Sequence, residues 1–170
     1  MIACGTSVTL RPPCAADETA LVALRNDVGT QTLTVARARP ADAARTWQWV
    51  RRHLDDPASL FFIVADTESD TFLGFAQLNR ISPVDGTAWM GIALAVEARG
   101  RGVGAAALQG LFGFAKRTHR VRKVCLEVRA DHYAAIALYE RLGFQRIGVH
   151  KGHVYLDGSY VDILLMEMLL

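Results

Sequence analysis

Apolar residues recur along this chain in two rhythms. At helical spacing they fall at Leu21, Val22 and Leu24, behind an Asp17 placed as a cap. They do so again at Trp47, Val50 and Leu54, in a segment from Ala41 to Leu54 that follows Pro40. Shorter apolar runs read as strands: Ser7–Leu10, stopped by Pro12 and Pro13, then Leu60–Ala65, Phe72–Leu78 and Ala88–Val96. The last three are divided by the turn-forming segments TESD and SPVDGT. Connections this short force an antiparallel meander, because a crossover between parallel strands needs about a dozen residues or more.

Beyond Val96 the pattern changes. A glycine-rich loop leads into a helix from Gly104 to Lys116, a strand from Lys123 to Val128, and a helix from Tyr133 to Arg141 closed by Gly143. Phe144–Tyr155 and Tyr160–Met168 then read as strands joined across Asp157-Gly158, a dipeptide favoured in tight hairpins. The predicted architecture is an α/β domain spanning residues 1–170, with a mixed, mostly antiparallel sheet of about six or seven strands and about four helices. No internal repeat, low-complexity segment or long linker divides it.

Composition adds exclusions. Half of the residues are hydrophobic (51%) and the formal charge is only +2, so a packed core is expected and a clustered basic face for nucleic acid is not. The run KRTHRVRK from Lys116 to Lys123 reads as a solvated helix end and connector. Cys4, Cys14 and Cys125 show neither CxxC nor Cys/His ligand spacing, so neither a metal site nor a disulfide framework is expected, and a reducing compartment fits best. The opening MIACGTSVTL lacks the charge and apolar stretch of a signal peptide, and no apolar run reaches about eighteen residues. A cytoplasmic protein with no membrane partner is the expectation.

Chemistry concentrates at Arg99-Gly100-Arg101-Gly102-Val103-Gly104-Ala105, between a strand and a helix. Glycines there let the backbone turn tightly and approach a ligand, while the first helical amides point unpaired N–H groups at an anion. A phosphate or pyrophosphate is the expected ligand. Two other motifs compete. A P-loop would need GK[ST] where Gly104-Ala105 stands. Gly100, Gly102 and Ala105 do match the dinucleotide fingerprint, and Glu127 lies at roughly the distance of a ribose-binding acid, but that fold needs parallel strands on both sides of the loop.

At this loop the sequence resembles the GCN5-related N-acetyltransferase (GNAT) family, whose hallmark is Gln or Arg, two residues, Gly, one residue, then Gly or Ala. Here it stands as Arg99, Gly102 and Gly104. A second block, LEVRADHYAAIALYERLGF from Leu126 to Phe144, is similar to the family's strand and helix ending in LYE-x-x-GF. The outer segments LRPPCAADETALVALRND and DGSYVDILLMEM resemble the branch holding ribosomal-protein N-terminal and spermidine acetyltransferases.

The resemblance implies a GNAT fold in which the strands before the loop and before Tyr133 splay apart to admit acetyl-CoA. It implies that the backbone of Ile92 and Leu94 pairs with the pantetheine arm, that Gly100 to Ala105 (Arg101, Gly102, Val103 and Gly104 between them) donate amides to the pyrophosphate, that Arg99 of the motif belongs to the cofactor site, and that His132 touches the cofactor where the family often has Asn. Tyr139 would protonate the departing thiolate and Glu127 would act as base. The acceptor would be a primary amine, a small molecule or a peptide, in a pocket built by the first two helices, including Asn26 and Asp27, and by the final hairpin around Tyr155 and Tyr160. A small soluble amine is preferred over a protein N-terminus, with a non-catalytic acetyl-CoA sensor as the reading from another class. Homodimers are common in the family. Among the remaining candidates, His150 and His153 read as surface residues. Cys125, near Glu127, is expected on the opposite face of that strand as a buried, inert thiol.

Overall fold

The computed structural model describes residues 1–5, 7–35, 39–156 and 158–170. Eight strands form one sheet: β1 (Ile2–Cys4), β2 (Val8–Arg11), β3 (Leu60–Asp66), β4 (Phe72–Ser82), β5 (Thr87–Leu94), β6 (Lys123–Arg129), β7 (Gln145–Leu156) and β8 (Ser159–Leu169). The helices are α1 (Glu18–Asn26), α2 (Val28–Leu33), α3 (Ala43–Asp55), α4 (Val103–His119) and α5 (Tyr133–Leu142). The strand order is β1-β2-β3-β4-β5-β6-β8-β7. The predicted mixed sheet is present, with β5–β6 its parallel pair and its other neighbours antiparallel.

The counts differ from expectation, with eight strands and five helices among the described residues. The additions are β1 and α2. β1 is three residues long and exists by pairing Ile2, Ala3 and Cys4 with Leu10, Thr9 and Val8. α2 is six residues with little apolar periodicity, and Asp27 caps it by accepting the Thr30 amide at 2.7 Å. Asp157 of the predicted hairpin turn lies outside the described residues, although β7 and β8 do pair on either side of it, Leu156 opposite Ser159.

Asp17 precedes α1 as predicted but does not cap it. Its carboxylate turns instead to Arg11, which donates from both terminal nitrogens at 2.8 Å, and to the Cys14 amide at 2.8 Å. A buried charge finds more stabilisation in a bidentate guanidinium than in one helix amide.

The sheet carries apolar packing on both faces. One face, through Val124, Leu126 and Val128, shares a core with Leu108 and Leu111 of α4 and Ile136 and Tyr139 of α5. On the other, Phe61, Ile63 and Ala65 of β3 pack with Leu21 of α1 and Val50 of α3, while Trp47 and Trp49 close the edge. No helix among the described residues is long and apolar enough to cross a membrane.

Candidate active site

The defining irregularity lies between β5 and β6. They pair in parallel for three residues, Thr87, Ala88 and Trp89 against Lys123, Val124 and Cys125, and then separate. The separation opens a cleft of about 540 Å³, lined by Met90 to Leu94 of β5, Leu126 to Val128 of β6, the glycine loop and α5. Beyond Trp89 the edge of β5 that faced β6 has no strand beside it, so its backbone polar groups are available to an extended ligand.

The loop closes one end of this cleft. Gly100 and Gly102 adopt φ of +71° and +81°, values that side-chain-bearing residues rarely take, and neither has another atom near where a Cβ would sit. Gly102 is the cap of α4, whose first amides have no intrahelical acceptors. Gly104 and Ala105 line the cleft with Gly100 and Gly102. Val103 is buried in the core, and the Arg101 side chain bonds the Glu97 carbonyl at 3.3 Å, so neither places its side chain in the cleft.

Arg99 lines the cleft but is already heavily engaged. Its Nε and one terminal nitrogen donate to the Leu94 carbonyl at 3.0 and 2.9 Å, and that same nitrogen donates to the Thr30 hydroxyl at 2.6 Å. It therefore ties the end of β5 to α2, which with its C-cap contributes Thr30, Leu33 and Thr34 to the cleft wall. Sequence reasoning missed this wall, and the spacing of Asp27 and Thr30, an Asx cap, was the signal that could have located it.

Tyr139 and Glu127 lie on the two faces of the split. Tyr139 is buried with Leu126 and Val128, 5.8 Å from the Phe144 ring centroid, yet it also lines the cleft. Burial pushes its phenol up to about 12. Glu127 alternates with those buried neighbours, is exposed, and borders the cleft from the other face. Cys125 shares the Glu127 face and is half-buried, which corrects the expectation, since residues two apart in a strand point the same way.

His132 sits at the start of α5 and lines the cleft, but its side chain does not cap the helix. Burial and the neighbouring Arg129 charge hold its imidazole below the usual histidine range. His150 and His153 are exposed and stack on each other at 4.6 Å, away from the cleft lining. Asn26 and Asp27 are committed to structure: the Asn26 amide bridges the Ala41 carbonyl and amide at 2.8 and 2.9 Å, while Asp27 caps α2. Tyr155 and Tyr160 form an exposed T-shaped pair at 5.2 Å near the hairpin end.

A family model described as an acetyltransferase (GNAT) domain matches residues 7–145. A mycothiol acetyltransferase of Rhodococcus erythropolis is 33% identical over 133 residues, covering 68% of this chain and 44% of its own. The chain spans only about half the length, or less, of this and several further curated relatives.

Among solved structures, the spermidine N-acetyltransferase of Vibrio cholerae, in complex with CoA and spermine, superposes with a TM-score of 0.88 at 22% identity over 95% of both chains. An acetyltransferase of Salmonella typhimurium that modifies the N-terminal serine of ribosomal protein L7/L12 gives 0.86 at 22% identity over 99% of this chain and 98% of its own. At such identity the structures speak for the fold, and the domain match carries the assignment: the chain belongs to the GNAT acetyltransferase family.

Proposed function

We propose that the chain binds acetyl-CoA in the split between β5 and β6 and transfers its acetyl group directly to a primary amine. The observation that carries this reading is the split itself, with a helix-capping glycine loop at one end, a phenol on one face and a carboxylate on the other. The free edge of β5 at Ile92 and Leu94 would receive the pantetheine amides as a further strand, and the amides from Gly100 to Ala105 would hold the diphosphate. The main chain of the loop, rather than the committed side chains of Arg99 and Arg101, does this work.

The chemistry follows from the two faces. An ammonium must lose a proton before its nitrogen can attack, and Glu127, exposed at the cleft, is placed to take it. The nitrogen then adds to the thioester carbonyl, and backbone N–H groups of β5 would stabilise the resulting oxyanion. Collapse breaks the carbon–sulfur bond, and the nitrogen gives up a second proton. The Tyr139 phenol, held protonated by burial, donates a hydrogen bond to the departing sulfur. A thiolate of ordinary basicity is weaker than this phenolate by about three pKa units, so sulfur keeps the proton only as the phenol is resupplied by the proton leaving nitrogen. The sum is ammonium plus acetyl thioester giving amide, thiol and one released proton.

A small soluble amine is the proposed acceptor, with a protein N-terminus second because the relatives include enzymes of both kinds. Replacing Tyr139 with Phe tests the core of the reading. At saturating substrates kcat should fall by about 100-fold or more, with acetyl-CoA affinity little changed. Unaltered turnover would remove the phenol from the reaction. Tight acetyl-CoA binding with no transfer to any amine would favour a sensor instead.

A further inference from the structure

We propose that Arg99 is a positioning residue for the acceptor: through the Thr30 hydroxyl it holds α2 in place as the wall against which the amine docks. The proposal rests on the acetyl-transfer reading and deepens it, because it assigns the Arg99 side chain to the amine rather than to the cofactor.

Strand registers show which side of the sheet α2 occupies. Ile63 of β3, buried against α1 and α3, is the direct partner of Phe75 of β4, and Phe75 is the partner of Ala93 of β5. Trp89 of β5 is in turn the partner of Cys125 of β6. Side chains two apart along a strand share a face, so Ala93, Trp89, Cys125 and Glu127 all look toward the side that carries α1 and α3. α2 follows α1 after the single residue Asp27, and with its cap it brings Thr30, Leu33 and Thr34 to the cleft that Glu127 also lines. The glycine loop leads into α4, which packs with α5 and Tyr139 on the opposite face. A cofactor held from that side leaves the α2 side to the acceptor.

Polar contacts fix this wall. α2 has six residues, and the two it buries are Thr30 and Gln31, so it gives the core no fully buried apolar side chain. A helix this short draws its stability from tertiary contacts rather than from its own hydrogen bonds. Gln31 bonds the Arg25 carbonyl and so ties α2 to α1. Arg99 ties it to the sheet: the terminal nitrogen that donates to Thr30 Oγ1 at 2.6 Å also donates, with Nε, to the Leu94 carbonyl.

Thr30 is 4% exposed, and its hydroxyl donates to Asp27 as it accepts from the guanidinium. A charge at each end strengthens both bonds. One side chain thus spans the two substrates, gripping the strand end proposed to meet the pantetheine arm and the helix that faces the amine.

The test pairs Thr30→Val, which removes the hydroxyl and keeps the shape, with Arg99→Gln. Glutamine carries a nitrogen as far along its side chain as the arginine Nε, so it keeps a donor for Leu94 and loses the one for Thr30. Wild type and variants are compared on spermidine, a serine-initiated peptide, a free amino acid and an amino sugar, and kinetics are taken on whichever reacts fastest. Both variants should raise KM for the amine about tenfold or more, with kcat within about threefold and acetyl-CoA affinity by calorimetry within about twofold. The double variant should fall within about twofold of the worse single one, because all three break the same link. Thr30→Ser keeps the hydroxyl and should recover most of the loss.

An unmoved amine KM in Thr30→Val would overturn the proposal. So would weaker acetyl-CoA binding by Arg99→Gln at an unchanged amine KM, since the guanidinium would then serve the cofactor. Losses that multiply in the double variant would overturn it by showing two independent roles, and a parallel fall of kcat, acetyl-CoA affinity and melting temperature would make the residues structural. Acetyl transfer stands in each of these cases. Absence of transfer by the wild type to every probe would overturn that reading as well.

Discussion

Burial decides what individual side chains here can do. The Tyr139 phenol, pushed up to about 12, stays protonated throughout the range in which amines are acetylated. If it serves as the donor, the pH–rate profile of kcat should show no descending alkaline limb from this group below about pH 11. A fall in kcat centred near pH 10 that disappears in Tyr139→Phe would contradict this.

Asp17 shows the opposite balance. Its burial opposes ionisation, but the paired bonds from Arg11 and the Cys14 amide more than compensate, and its carboxyl is held below the usual range. Because the folded value is depressed, the stabilisation is present above the unfolded value near pH 4 and is lost as pH falls through the folded one. Asp17→Ala strands a largely buried guanidinium and should cost about 3–5 kcal/mol at neutral pH in a denaturant titration. Arg11 also bonds the exposed Asp70 at 2.6 Å, and that second contact sets the residual stability of the variant.

At the scale of elements, much was legible. The period-3.6 and period-2 patterns located α1, α3, α4, α5 and β2 to β8, most of which bury an apolar stripe, whereas β7 is exposed along nearly all of its length. β1 and α2 escaped because both are short: β1 has three residues and exists by pairing with the adjacent β2, and α2 has six. α2 in particular depends on Arg99, which reaches Thr30 across 69 positions of sequence. The glycine loop was visible in sequence as a backbone device, and its φ angles show why: Gly100 and Gly102 occupy the left-handed region with free space beside them. Gly102→Ala should therefore cost only about 1–2 kcal/mol of fold stability. Its methyl would project from the turn that is proposed to hold the diphosphate, so acetyl-CoA affinity measured by calorimetry should fall by more than that strain alone explains. Equal losses in the Kd and in stability would count against the loop as the binding turn.

For the molecule as a whole, the cleft depends on where β5 is held. Gly74 of β4, at φ +149°, leaves room for the chain opposite: a Cβ there would lie 2.2 Å from the Ala93 carbonyl oxygen and 2.8 Å from the Leu94 Cα. Both are backbone atoms of the cleft wall, so the clash cannot be relieved by a rotamer change. Gly74→Ala should lower stability by about 2–3 kcal/mol or more and weaken acetyl-CoA binding together, through displacement of the β5 end. A variant of normal stability and normal affinity would show that this register does not shape the site.

By itself the sequence determined the succession of elements, the antiparallel meander, the glycine turn and the family, because periodicity, turn chemistry and backbone permissiveness act between near neighbours. Tertiary structure decided which residues meet. The parting of β5 from β6, the commitment of Arg99 to α2 and the placing of Tyr139 and Glu127 on opposite faces of the split arise from contacts between segments far apart in the chain. A one-residue change of register in β6 would send Glu127 to the other face. That information lies in the packing of the two apolar layers against the sheet, which no local window of sequence contains.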